Sequence, residues 1–161
     1  MASSLKNLSD HDPATIPNGS SLKVGIVVAE WNEEITASLL EGTLNTLSKH
    51  GVVKENIQIL NVPGSFELPY GARIVAEQFT PGVVICLGCV IQGETRHFDY
   101  ICQGVTKGIT ELNLDYGIPF IFGVLTTDNL QQAKDRTGGK YGNKGDEAAV
   151  SALKMAALRT G

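Results

Sequence analysis

Cysteine is scarce: the chain has three, Cys86, Cys89 and Cys102. So small and odd a set argues against a disulfide framework. The opening stretch MASSLKNLSDHDPATIPNGSS lacks the apolar centre of a secretory signal, so a cytoplasmic location is the expectation. Long apolar runs are missing too, and none approaches the ~20 residues a membrane-spanning helix needs. Nor is there a surplus of positive charge. Seventeen acids against thirteen bases leave a net charge of −4. No basic stripe stands out, so neither nucleic acid nor a membrane is an expected partner. Aromatic residues make up only 6%, with Trp31 the single tryptophan. Its position therefore carries weight.

What is present fits one ordinary globular domain. The 161 residues are 42% hydrophobic and 19% charged, enough for a single sizeable core. Residues 1–20, polar and broken by Pro13, Pro17 and Gly19, read as a flexible N-terminal arm. Residues 21–161 read as the domain.

Strands and helices alternate along it. LKVGIVVAE (22–30), NIQILNV (56–62), GVVICLGCVI (82–91) and IPFIFGVLT (118–126) read as strands. Between the first two, Ile35, Leu39, Leu40, Leu44 and Leu47 recur at helical spacing. Asn32 is positioned as that helix's cap and Gly51 as its stop. PGSFELPYGARIVAEQF (63–79) turns into a second helix, with Pro69 tolerable only in its first turn. A third helix is expected from His97 to about Tyr116. Asp128 followed by Gln131 suggests the cap of a short fourth helix, and an alanine-rich helix closes the chain. DRTGGKYGNKG (135–145) lacks the order of a P-loop and reads as an interhelical turn. Near-continuous apolar strands alternating with helices imply an α/β fold, a parallel sheet covered on both faces. Cys86 and Cys89, three apart on a strand, then point to opposite faces. They read as core residues rather than a metal or redox pair.

In open α/β sheets ligands bind beyond the carboxyl ends of the strands. Four loops emerge there, after Ala29, Val62, Ile91 and Leu125. The third changes character abruptly, from an apolar run to Gly93-Glu94-Thr95-Arg96-His97. Backbone N–H groups at the start of a helix attract anions, and Thr95 adds a hydroxyl. Simple capping by Thr95 is the plainer account. The positive end of the helix dipole favours a neutral His97, able to accept a proton. The other account makes His97 a surface residue without a task. Trp31 could stack on a flat heterocycle. Phe66 and Glu67 could pair an aromatic wall with a carboxylate that reads an N–H edge. Arg136, Lys140 and Lys144 would suit a phosphate.

Four segments, PGSFELP (63–69), GCVIQGETRHFDYI (88–101), IPFIFGVLTTDN (118–129) and RTGGKYGNKGDEAA (136–149), resemble the signatures of the lumazine synthase family. The resemblance runs from Leu22 to Leu158. It implies a flavodoxin-like three-layer α/β/α sandwich with a four-stranded parallel sheet. It also implies a transferase of the penultimate step of riboflavin biosynthesis, using no cofactor and no metal. In that reaction 5-amino-6-(D-ribitylamino)uracil condenses with 3,4-dihydroxy-2-butanone 4-phosphate to 6,7-dimethyl-8-ribityllumazine.

By this resemblance Trp31 stacks on the pyrimidine. Ser65, Phe66 and Glu67 bind the pyrimidine and its ribityl chain, and Cys89, Val90 and Ile91 line the pocket. Glu94 and Thr95 form the phosphate loop, and His97 transfers protons. A neighbouring subunit contributes Phe122 and Arg136, the arginine to phosphate. Lys144 and Asp146 lie in a matching motif. Gln92 stands where the family often has arginine, and Trp31 where it more often has phenylalanine. The resemblance further implies homopentamers with intersubunit active sites and association with riboflavin synthase. The absence of an insertion between Arg136 and Gly145 points to an icosahedral shell of pentamers. Two rival readings remain at this point. One is a noncatalytic flavin- or lumazine-binding shell protein, which would not need His97, Thr95 and Arg136 together. The other is the related archaeal-type riboflavin synthase, which needs no phosphate site.

Overall fold

Alternation of faces along the strands builds the core. In this computed structural model, which describes residues 12–160, four parallel strands form one sheet. They are β1 (Val24–Ala29), β2 (Ile57–Val62), β3 (Val83–Ile91) and β4 (Phe120–Thr127). Their order across the sheet is β2-β1-β3-β4. On one face Ile26, Ile85, Leu87 and Cys89 pack with Ile35 and Leu39 of α1 (Glu33–Lys49) and with Leu153 of α5 (Lys144–Thr160). On the other, Val27, Val84, Cys86 and Val124 pack with Leu68 and Val75 of α2 (Leu68–Phe79) and with Val105 and Ile109 of α3 (His97–Asp115). Each fully buried leucine or isoleucine in these layers contributes about 1.5–3 kcal/mol by its removal from water. The three-layer α/β/α arrangement is the one the apolar strands implied. No helix among the described residues is long and apolar enough to cross a membrane.

Cys86 and Cys89 fall in opposite core layers, as strand alternation requires. Burial pushes their thiols up, to about 12 for Cys86 and about 11 for Cys89. Both are therefore protonated at neutral pH and make poor nucleophiles. The linkage has a definite sign. The unfolded chain releases these protons near pH 9, well before the folded one does. Stability from this source is complete below pH 9 and is lost as pH rises from about 9 to about 12. Chemical denaturation at pH 8 and pH 10 should give a lower midpoint at pH 10. Cys86→Ala/Cys89→Ala protein should show a smaller drop.

The structure corrects the sequence reading at several places. Asn32 precedes α1, but its side chain makes no capping hydrogen bond, and its backbone is left-handed at φ 62°. Asparagine tolerates this region better than most residues. The short helix α4 (Leu130–Lys134) is capped by Asn129, whose side chain accepts from the Gln132 N–H at 2.9 Å, and not by Asp128. The expected interhelical turn contains an antiparallel hairpin, β5 (Thr137–Gly139) with β6 (Gly142–Asn143). Gly138 (φ 111°) and Gly142 (φ 71°) supply the positive dihedrals it needs.

Residues 1–11 of the expected arm lie outside the described residues. Its remainder touches the domain at two points, while residues 12–15 are exposed. Ile16 is buried with the α1/α5 core layer, and the Gly19 N–H donates to the His50 carbonyl at 2.7 Å.

Candidate functional site

The strand order places a topological switch point between β1 and β3. From β1 the chain crosses to β2 on one side, then returns to β3 on the other. Such a crevice is where open α/β sheets hold ligands. A cavity of about 750 Å³ opens there. Trp31 and Asn32 come from the end of β1, and Gly64 to Glu67 from the loop after β2. Cys89 to Ile91 come from the end of β3, with Gly93, Thr95 and His97 beyond it. Three loops that are far apart in sequence thus meet.

Backbone bonds hold these loops in register. The Glu30 and Trp31 N–H groups donate to Val62 O (2.8 Å) and Pro63 O (3.1 Å). The Asn32 side chain donates to Cys89 O at 2.9 Å, closing the gap between β1 and β3. The bond explains why Asn32 does not cap α1: its amide is turned across the crevice. Phe66 rests on α3 where Gly104 leaves room, since a Cβ there would lie 2.9 Å from the ring. Trp31 and Phe66 are nonetheless largely exposed, at 73% and 58%. They present flat faces to anything entering the cavity.

Ser65 is the most informative residue of the lining. It is 7% exposed, and its hydroxyl is buried without a hydrogen-bond partner. A Cβ at Gly88 would lie 2.6 Å from that oxygen, so the hydroxyl sits directly on β3. Leaving a buried polar group unpaired costs about 1–3 kcal/mol. Such a group beside a cavity is accounted for when a ligand completes its bonding. Thr95 lines the cavity but is not the cap of α3: the N-cap is Arg96, whose side chain makes no capping bond, and the Thr95 hydroxyl accepts from the His97 N–H at 3.4 Å. His97 is exposed in the first turn of α3.

A second concavity, of about 340 Å³, lies along β4 and the start of α5. It is lined by Phe122, Arg136, Lys144, Glu147 and Ser151 among others, and shares no residue with the first. Lys144 forms an ion pair with Glu147 there. The Arg136 guanidinium donates to Gln132 O at 2.9 Å.

A family model described as 6,7-dimethyl-8-ribityllumazine synthase matches residues 21–160. The chain belongs to that family. Among curated lumazine synthases, that of Parabacteroides distasonis is 62% identical over 155 residues, covering 96% of this chain and 97% of its own. Those of Cytophaga hutchinsonii and Porphyromonas gingivalis are 62% and 56% identical, each covering 98% of both chains. The chain is accordingly a transferase of riboflavin biosynthesis.

The lumazine synthase motifs divide between the two concavities. Trp31, Ser65, Phe66, Glu67, Cys89, Val90, Ile91, Thr95 and His97 gather at the first, while Phe122, Arg136 and Lys144 gather at the second. Two named residues line neither. Glu94 is exposed outside the cavity lining. Asp146 accepts a hydrogen bond from the Thr46 hydroxyl at 3.2 Å, which ties α5 to α1. Sequence reading passed over Asn32 as a pocket residue, and also Phe98 and Ile101. Phe98 and Ile101 sit three apart after His97, a helical spacing that marks one face. That signal was readable.

Proposed function

We propose that this chain joins 5-amino-6-(D-ribitylamino)uracil to 3,4-dihydroxy-2-butanone 4-phosphate in the switch-point cavity. The observation that carries the site assignment is Ser65, its hydroxyl buried and unpartnered, in the same cavity lining as the exposed aromatics Trp31 and Phe66. A heterocycle rich in N–H and C=O groups satisfies both features at once, stacking on Trp31 and Phe66 and bonding to Ser65. Glu67 takes N–H or hydroxyl donors, and the ends of the Cys89–Ile91 strand line the ring pocket. Gly93, Thr95 and the start of α3 receive the phosphate end, with Glu94 in the same loop. His97 then moves protons through imine formation, phosphate loss and ring closure. Holding both substrates in register contributes further to the rate.

Arg136 and Phe122 lie outside this cavity. We assign them to the cavity of an adjacent copy, with Lys144 beside them. This makes the working unit a ring of chains, a pentamer, with pentamers closing into an icosahedral shell. Association with a riboflavin synthase and a cytoplasmic location belong to the same reading. Sedimentation near neutral pH tests the assembly: the reading expects a shell, and a single species of pentamer size overturns that part.

The activity test follows lumazine fluorescence and phosphate release together. Equal amounts of both products are expected. Ser65→Ala should leave the melting temperature unchanged or higher, since it removes an unpaired buried hydroxyl. It should also raise KM for the pyrimidine by roughly five- to tenfold, the value of about one hydrogen bond. An unchanged KM would remove Ser65 from the site.

A further inference from the structure

The hairpin that follows Arg136 holds one aromatic residue, Tyr141. Its ring lies under the Arg136 guanidinium, with the central carbon 4.9 Å from the ring centroid. The backbone that carries the ring is held in place. The Tyr141 N–H donates to Asp135 O at 2.7 Å, and the Lys144 N–H donates to Arg136 O at 2.8 Å. Both bonds tie the hairpin back to the residues around Arg136. The guanidinium is held a second time by its own bond to Gln132 O, 2.9 Å. Arginine side chains lose considerable rotamer freedom when ordered. Here that freedom is already restricted by a flat surface and by a carbonyl.

We propose that Tyr141 is a positioning residue for Arg136, presenting the guanidinium plane in the orientation that receives the substrate phosphate. The proposal rests on the reading of Arg136 as a phosphate ligand. Bidentate recognition of a phosphate depends on the orientation of the planar fork. A ring face against the guanidinium restricts how that fork can turn. Lys140, 5.1 Å from the same ring centroid, adds positive charge beside it. Tyr141 does not touch substrate in this scheme. It acts through Arg136 alone.

The test is steady-state kinetics on the assembled protein, varying each substrate separately, with inorganic phosphate as competitor. Tyr141→Ala should raise KM for the phosphate-bearing substrate, and Ki for inorganic phosphate, by roughly two- to fivefold, the worth of an exposed cation–π contact. KM for the pyrimidine should stay at the wild-type value. Tyr141→Phe, which keeps the ring, should restore most of the affinity. Tyr141→Leu, which keeps apolar bulk without a π face, should not, and it replaces the alanine variant if that variant fails to fold. In an Arg136→Ala background, Tyr141→Ala should have no further effect on phosphate. If Arg136→Ala raises KM for the phosphate substrate while Tyr141→Ala and Tyr141→Leu leave it unchanged, the proposal is overturned and the role of Arg136 stands. If Arg136→Ala itself changes nothing, both fall together. Equal loss in Tyr141→Phe and Tyr141→Ala, or a parallel rise in both KM values, would also overturn it.

Discussion

His97→Ala should lower kcat by about 10²- to 10⁴-fold, the usual worth of a positioned general acid–base. KM for either substrate should change little. The expectation follows from where the side chain sits. His97 is exposed in the first turn of α3 and lines the cavity beside Thr95. Its ring packs into no core layer, so removing it leaves no cavity in the fold, and the variant should melt as the wild type does. Proton transfer is needed at imine formation, at phosphate loss and at ring closure, and one imidazole can serve each in turn. Residual turnover should persist, because orientation of the two substrates survives the change. His97→Gln, which keeps hydrogen bonding but cannot shuttle a proton at neutral pH, should resemble the alanine variant. Rapid-mixing measurements of phosphate release check this. A kcat within threefold of wild type would assign the proton transfers to another group.

The second large effect concerns stability. A Cβ on Gly145 would lie 2.0 Å from the Leu39 carbonyl oxygen. That oxygen belongs to the backbone of α1, so no side-chain rotation relieves the clash. The Thr43 hydroxyl is also wedged at this point, donating to Leu39 O (2.9 Å) and standing 3.0 Å from Gly145 O. Gly145→Ala should therefore drive the start of α5 away from α1. Overpacking of this kind costs about 3 kcal/mol or more, a fall in melting temperature of roughly 6–12 °C for a chain of this size. Phosphate affinity should fall too, since Asn143 ties the hairpin to the same stretch of α1. It donates to Ser38 O at 2.9 Å, while the Ser38 hydroxyl donates to Thr137 O at 2.7 Å. Gly117→Ala is the control. Nothing lies within 4 Å of its Cβ position, and its melting temperature should stay within about a degree of wild type. A Gly145→Ala protein as stable as that control would mean the α1–α5 contact yields more readily than its geometry implies.

The layers of the fold were legible because burial leaves a period. Ile35, Leu39 and Leu47 marked α1. The unbroken apolar runs of β1 and β3 marked strands covered on both faces. The caps were less legible. Asp128 and Asn129 are both good capping residues, and the extended backbone of Asn129 (φ −155°, ψ 169°) decides between them. Asn32 left its expected task because a carbonyl 57 positions away, Cys89 O, offered a bond that no local pattern reveals. The hairpin was hidden by its glycines, which suit a loose turn and a tight ribbon equally well. For the site, the strand-end rule located Trp31, the Ser65–Glu67 loop and the Thr95–His97 run together, since each follows an apolar strand. It could not say that Phe122 and Arg136 open elsewhere. Nor could it say that Asp146 is turned toward Thr46, because both depend on where α5 docks.

The two separate concavities lead to a count. If one surface of each chain receives what another surface of the next chain donates, the contact runs head to tail. An open row of n chains then holds n − 1 complete sites, because its first and last members each have a half left over. Only closure of the ring brings the number of sites up to n. The final chain to join thus makes two contacts and completes two sites. Turnover per chain should rise more steeply with protein concentration than simple pairing would give. At high dilution, the loss of a single chain would cost the ring two working sites.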